Sequence, residues 1–283
     1  MEEEVDFAAK LAAAATTPEE KKRLARIGAC RPWLTVPPNL LDSTVLSAAE
    51  FCDNVHGQYS MMPLGLCAKC DGCGAKFTKE HAMSCKKGGL VGIRHDDVAD
   101  AAGTLGTMAL NSSRVSYEPL IFYGTGVTAG GETEAPASPT KGRKGWGSKG
   151  GHVARDDARG DIAVHGLWKR GETSIIDVRI TDTNAPPYAS SSSAQVLERA
   201  AKAKKNKYLE ACIERRRPFT PLVYSIDGMA CKEAKAFRKT HRVPPCDEQP
   251  YSEMAGYVKG RMSIAVVRAN TMMLRRSRTG GAR

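Results

Sequence analysis

The spacing Cys70-x2-Cys73-x7-His81-x3-Cys85 constrains this chain more than any other feature. A structural zinc ion takes four sulfur or nitrogen donors at about 2.0–2.3 Å in a tetrahedron. Cys70 and Cys73 supply two sulfurs from one tight turn, eased by Gly72 and Gly74. His81 and Cys85, a helical turn apart, supply the other pair, and Phe77 between them can pack beneath the metal. With four protein ligands no position stays open for water, so the expected zinc is structural. Cys67 opens a second knuckle with Cys70, and our reading keeps Cys70 and Cys73 and treats Cys67 as a spare. The alternative is a cluster of buried thiols beside a surface histidine.

Nine cysteines are an odd and uneven set: four crowd between 67 and 85, and Cys30, Cys52, Cys212, Cys231 and Cys246 are scattered. In a reducing compartment such a cluster reads as metal-binding rather than as a disulfide framework. The 283 residues carry a formal net charge of +11, which favours a polyanionic partner but does not separate nucleic acid from an acidic membrane surface. No apolar run approaches the roughly 20 residues of a membrane-spanning helix. The acidic start Met1-Glu2-Glu3-Glu4 is unlike a signal peptide, so we expect an intracellular protein.

Along the chain, residues 1–62 read as a helical and irregular segment, with Ser47 as the N-cap of a helix through Phe51. Trp33 to Val36 reads as a short strand. Residues 63–92 hold the knuckle, and 93–283 read as an α/β domain. Within it we expect a helix from His95 to about Ala109 and a strand over Glu118–Tyr123. Residues 124–159, rich in Gly, Ser, Thr, Pro and basic side chains, read as a flexible insertion. Two strands, Asp161–Val164 and Thr173–Thr181, turn near Lys169-Arg170-Gly171; a helix over Gln195–Arg217, a strand over Phe219–Ser225 and helices over Cys231–Lys239 and Ser252–Leu274 follow. The order is that of a mixed sheet flanked by helices.

Period-two alternation on the strand around Asp177 puts Ile176, Val178 and Ile180 on one face and Ile175, Asp177, Arg179 and Thr181 on the other. A charge in the middle of such a strand is costly unless it binds something. Asp161, at the start of the preceding strand, can converge with it on one Mg²⁺ or Mn²⁺, which needs only one or two carboxylates beside water and phosphate oxygens. The alternative for Asp177 is a salt bridge to Arg179 or a nearby lysine. On the helix from Gln195, the stripe Leu197, Ala201, Tyr208 and Ala211 leaves Lys204 where an apolar residue is expected, with Lys207 one turn along. Aimed at the carboxylates, Lys204 would orient a water or steady the phosphate; the alternative is a snorkelling side chain. The arginines and lysines around the stripe suit phosphate contacts or a solvated face alike.

Taken together, Cys70-x2-Cys73-x7-His81-x3-Cys85, Gly88-Gly89, Arg94-His95, Gly160-Asp161, Ile176-Asp177-Val178 and Lys204-x2-Lys207-Tyr208 resemble the C-terminal region of site-specific non-LTR retrotransposon proteins. There a zinc knuckle precedes a restriction-like endonuclease of the PD-(D/E)xK superfamily. The resemblance implies a restriction-endonuclease-like core and metal-dependent nicking of DNA, whose 3′ hydroxyl then primes reverse transcription. It implies Asp161 and Asp177 as metal acids, Lys204 or Lys207 as the lysine on the following helix, and Asp97 as an acid assisting the metal. Two departures stand out: Arg179 occupies the usual lysine position and Gly160 that of the proline. Nothing here resembles the reverse transcriptase palm, so the expectation is a separated tail of such a protein.

The expected function is thus a Mg²⁺-dependent DNA endonuclease of retroelement origin, located in the nucleus or elsewhere in the cell, with the parent element's RNA as a further partner. The alternative is an inert, zinc-containing nucleic-acid-binding remnant.

Overall fold

The computed structural model describes residues 32–59, 61–122, 158–240 and 251–279, with positions 13, 17, 21, 22 and 24 ahead of them. The helical segment expected before residue 28 is described only at these isolated positions, and the insertion as far as residue 157 lies outside the described residues.

Helix α1 (Ala48–Gln58) starts at Ser47, whose hydroxyl accepts from the Glu50 amide while the Glu50 carboxylate accepts from the Ser47 amide. This capping box satisfies two of the donors that a helix start leaves without partners. Helices α2 (Lys79–Ser84) and α3 (Leu90–Leu110) follow. The strands are β1 (Val115–Tyr117), β2 (Leu120–Phe122), β3 (Ala158–Arg159), β4 (Ile162–His165), β5 (Thr173–Thr181) and β6 (Phe219–Ser225). Between the last two runs α4 (Ser193–Glu214), capped by Ser192 and Gln195 in the same reciprocal way. Helices α5 (Lys232–Thr240) and α6 (Tyr251–Arg275) complete the chain.

Four strands form one sheet in the order β1-β4-β5-β6, and β2 pairs with β3 separately. Strands β1, β4 and β5 are antiparallel neighbours, whereas β6 runs parallel to β5. A parallel neighbour requires a long crossover, and α4 provides it. Every residue of β6 is buried, the pattern of a strand covered on both faces.

The two faces carry different cargo. Val98, Ala102 and Leu105 of α3 pack with Ile162, Val164, Ile176 and Val178. On the other face, Tyr208 and Cys212 of α4 pack with Ile121, Ala163, Ile175 and Phe219. Each such fully buried aliphatic side chain contributes about 1.5–3 kcal/mol, so the sheet centre is the stable platform of the molecule. Helix α6 packs along α3 and also touches α1 and α2. Its Arg275 makes a two-pronged ion pair with buried Asp53 of α1 at 2.6 and 2.7 Å.

The mixed α/β architecture follows the sequence pattern, and three local expectations do not hold. The strand expected over Glu118–Tyr123 is shortened to β2 (Leu120–Phe122) and preceded by an unexpected strand, β1: Glu118 adopts a left-handed φ of 51° and Pro119 has no amide to donate, so the chain leaves β1 and pairs anew as β2. Trp33 lies in a 3₁₀ turn over Pro32–Leu34 instead of a strand, its ring buried with Ile264 and Val267. Ala158 and Arg159 belong to β3 rather than to a flexible insertion.

Gly160 is fixed by close approach. A Cβ there would lie 2.5 Å from Cγ2 of Ile175. Gly160→Ala is therefore expected to destabilise the protein by about 1–3 kcal/mol through overpacking, read as a lowered urea midpoint. An unchanged midpoint would show that Ile175 yields at no cost. No helix among the described residues is long and apolar enough to cross a membrane.

Candidate metal centres

The first centre lies ahead of the sheet. The Cys70 amide donates to Ala75 at 2.8 Å and the Gly74 amide to Cys70 at 2.8 Å, closing a tight knuckle with Gly74 at a φ of 75°. Thr78 then caps α2, which delivers His81, and Cys85 follows its last turn. The four donor atoms of Cys70, Cys73, His81 and Cys85 all lie within 4.8 Å of one another. Sulfur separations are 3.9 Å for Cys70–Cys85 and 3.9 Å for Cys73–Cys85, and Cys73 Sγ is 3.3 Å from His81 Nε2. Four ligands about 2.3 Å from a tetrahedral ion stand about 3.8 Å apart, so the donor set fits zinc or a metal like it. Burial opposes ionisation of Cys70, but hydrogen bonds from His81 and the Gly72 and Cys73 amides outweigh it and bring the thiol to about 6. Cys67 is exposed and outside the group.

The knuckle is bound to the end of the chain. Asp71 Oδ2 accepts from Ser277 Oγ at 2.6 Å and from the Arg278 amide at 2.8 Å. The Arg278 guanidinium lies 5.0 Å from the centre of the Phe77 ring and donates to the Ala82 carbonyl. Phe77, Met83 and Leu90 bury against Met273 and Leu274 of α6.

The second centre is on the α4 face of the sheet. Ile162 pairs with Ile176, so Asp161, one residue earlier, stands across from Asp177. Asp177 is buried, and its Oδ2 lies 2.6 Å from Lys204 Nζ, delivered by α4. Lys204 thus points at a carboxylate. Asp161 Oδ2 accepts from the Val178 amide and lies 3.1 Å from His95 Nε2. On its other side, His95 Nδ1 is 3.1 Å from Asp96 Oδ1. Carboxylates at both ring nitrogens require both to donate. The Asp161 hydrogen bond, opposed by partial burial, lifts His95 to about 9, so the ring is an imidazolium at neutral pH. Burial pushes the Asp177 carboxyl above the ordinary range; Asp161 pushes it the same way, and Lys204 and His95 pull it back.

The structure therefore brings Asp161, Asp177 and Lys204 together. Lys207 is exposed, with its ammonium 4.8 Å from the centre of the Tyr208 ring. Asp97 is exposed on α3. Arg179, two residues beyond Asp177 on the same strand, is half-buried. The residue to which sequence reasoning gave no role, though it quoted Arg94-His95, is His95. It occupies the first turns of α3 just ahead of the buried positions Val98, Ala102 and Leu105. A polar side chain extending an apolar stripe was the signal that singled out Lys204, and it applies equally here.

No protein-family model matches the chain, and no curated protein is significantly similar to it in sequence.

Proposed function

We propose that the Asp161–Asp177 pair holds a divalent cation and that the chain is a metal-dependent DNA endonuclease with a restriction-like core. The observation that carries this reading is the convergence of two neighbouring carboxylates, one of them buried, with Lys204 from α4 and His95 from α3, in a chain of net charge +11. Two acids side by side repel, and a cation between them relieves both. Both of these bonds to Asp161 fall on Oδ2, and in this reading its other oxygen serves the cation. His95 and the Val178 amide hold that carboxylate in a fixed orientation. Bound Mg²⁺ or Mn²⁺ would supply an activated water and Lewis-acid stabilisation of the phosphate. Lys204 neutralises Asp177 at rest and is placed to donate to the nucleophile or to a phosphoryl oxygen. The mixed sheet flanked by helices supports the resemblance to the PD-(D/E)xK superfamily, as does a lysine displaced to the crossover helix. Zinc in the Cys70–Cys85 cluster would brace the lobe that α2 and Arg278 join to the sheet domain.

Arg179 in the usual lysine position favours a second reading: a retroelement remnant that binds nucleic acid without cutting it. Incubation of zinc-loaded protein with supercoiled plasmid and Mg²⁺ or Mn²⁺ distinguishes the two. The nuclease reading predicts open-circular product that requires the cation. Binding without nicking, on plasmid carrying a broad sample of sequence, would favour the remnant.

A further inference from the structure

A groove of about 460 Å³ lies between the end of α4 and the strands, lined by Ser116, Leu120, Ala163, Thr173, Arg215 and Arg217. Its lining residues include two arginines, a serine and a threonine and no acidic residue; the Thr173 hydroxyl also lies 3.1 Å from His165 Nδ1. The chain builds it by a tight exit from α4. The Arg215 and Arg217 amides both donate to the Cys212 carbonyl, and Arg216 between them takes a left-handed φ of 52°. Arg217 is held in place by donating to the Leu120 carbonyl at 3.1 Å. Arg215 is exposed.

The groove shares its sheet face with the acids. Ala163 is two residues beyond Asp161, and Thr173 is four residues before Asp177. At about 3.3 Å per strand residue this places the groove roughly 7–13 Å from the carboxylates. A B-form strand advances about 3.4 Å per nucleotide, so the separation corresponds to about two to four nucleotides. Guanidinium groups paired with hydroxyls are a common phosphate-binding set, because arginine presents a rigid fork of donors.

We infer that this groove is a phosphate subsite that seats the backbone of the cleaved DNA strand a few nucleotides from the Asp161–Asp177 centre. The inference rests on the nuclease reading for the identity of the strand. It assigns a positioning role to Arg215 and Arg217, which lie away from the reacting bond.

The test combines binding and cleavage by the full chain. Affinity for a fluorescein-labelled DNA duplex is measured without divalent cation across ~0.05–0.2 M salt, for wild type, Arg215→Ala and Arg217→Gln. The glutamine keeps a donor for Leu120, and thermal melts check that each variant folds. Each lost phosphate contact is expected to lower the salt slope by about one and weaken affinity several-fold. In nicking, KM is expected to rise with kcat retained. Lys169→Ala, on the β4–β5 turn, is expected to change neither. Folded Arg215→Ala and Arg217→Gln proteins that bind and nick like wild type would overturn the subsite while leaving the nuclease intact. Wild type that binds with the predicted slope differences but never nicks would sink the nuclease reading instead and leave a phosphate subsite of a binding protein. No binding by folded wild type would overturn both.

Discussion

Asp177→Asn is expected to lower plasmid nicking by about 10²–10³-fold, the scale of losing one group that stabilises a transition state, while the protein stays folded. Asparagine matches the shape of the carboxyl and removes only its charge. Burial already disfavours that charge, so the substitution removes a desolvation cost as well as an ion pair. Lys204, with a side chain 23% exposed, can turn its ammonium to water along its own stem. The thermal midpoint should therefore hold or rise as activity falls. A purely structural ion pair predicts the reverse, activity retained and the midpoint lowered, because the pair itself would then be what Asp177 contributes. Nicking at the wild-type rate by a folded Asp177→Asn protein would remove Asp177 from the mechanism. Asp161→Asn is expected to behave similarly in activity, with an added loss of order where Asp161 binds His95 and the Val178 amide.

The second large effect is that of zinc removal. The Cys70–Cys85 segment has little else to hold it: one knuckle, the six residues of α2 and a small cluster around Phe77, Met83 and Leu90. A metal that closes such a segment contributes folding free energy directly, on the order of 10 kcal/mol for small zinc modules. Here the segment also docks on Met273 and Leu274 and receives Ser277 and Arg278, so its loss is expected to propagate to the end of α6. A strong chelator, or Cys85→Ser, should release one zinc per chain and cost several kcal/mol, seen as a large drop in the thermal midpoint. The sheet platform should survive, because its core lies on α3, α4 and the strands. Zinc content near zero in purified protein that melts identically with and without chelator would refute a structural metal here.

What could be read from the sequence follows from how local each determinant is. The Cys/His donors fall within one short stretch, so their spacing carries the geometry by itself. A period-two pattern likewise identified β5 and a helical stripe α4, while β6, buried throughout, showed as a short β-like run. Asp177 and Lys204 were legible because each breaks such a pattern, and Asp161 because it starts the strand beside Asp177. His95, quoted only within Arg94-His95, was given no role, since its partner Asp161 is 66 residues away and Arg94 beside it blurs the stripe; Arg94 is itself buried, donating to the Met83 carbonyl at 3.1 Å. The break between β1 and β2 turns on a non-glycine residue with positive φ, a conformation that composition does not announce. The joining of the knuckle to Arg278 and of Asp53 to Arg275 involves residues about 200 positions apart, which no local pattern encodes.

The most direct test of the account is a titration of Mn²⁺ into zinc-loaded protein, with free Mn²⁺ followed by electron paramagnetic resonance, for wild type, Asp161→Asn and Asp177→Asn. If the two carboxylates form a cation site, wild type removes one equivalent of Mn²⁺ from the free signal and both folded variants lose most of that binding. If wild type takes up no Mn²⁺, or binds it equally well after either substitution, the carboxylate pair is no metal centre and the chain's resemblance to a nuclease is one of form alone.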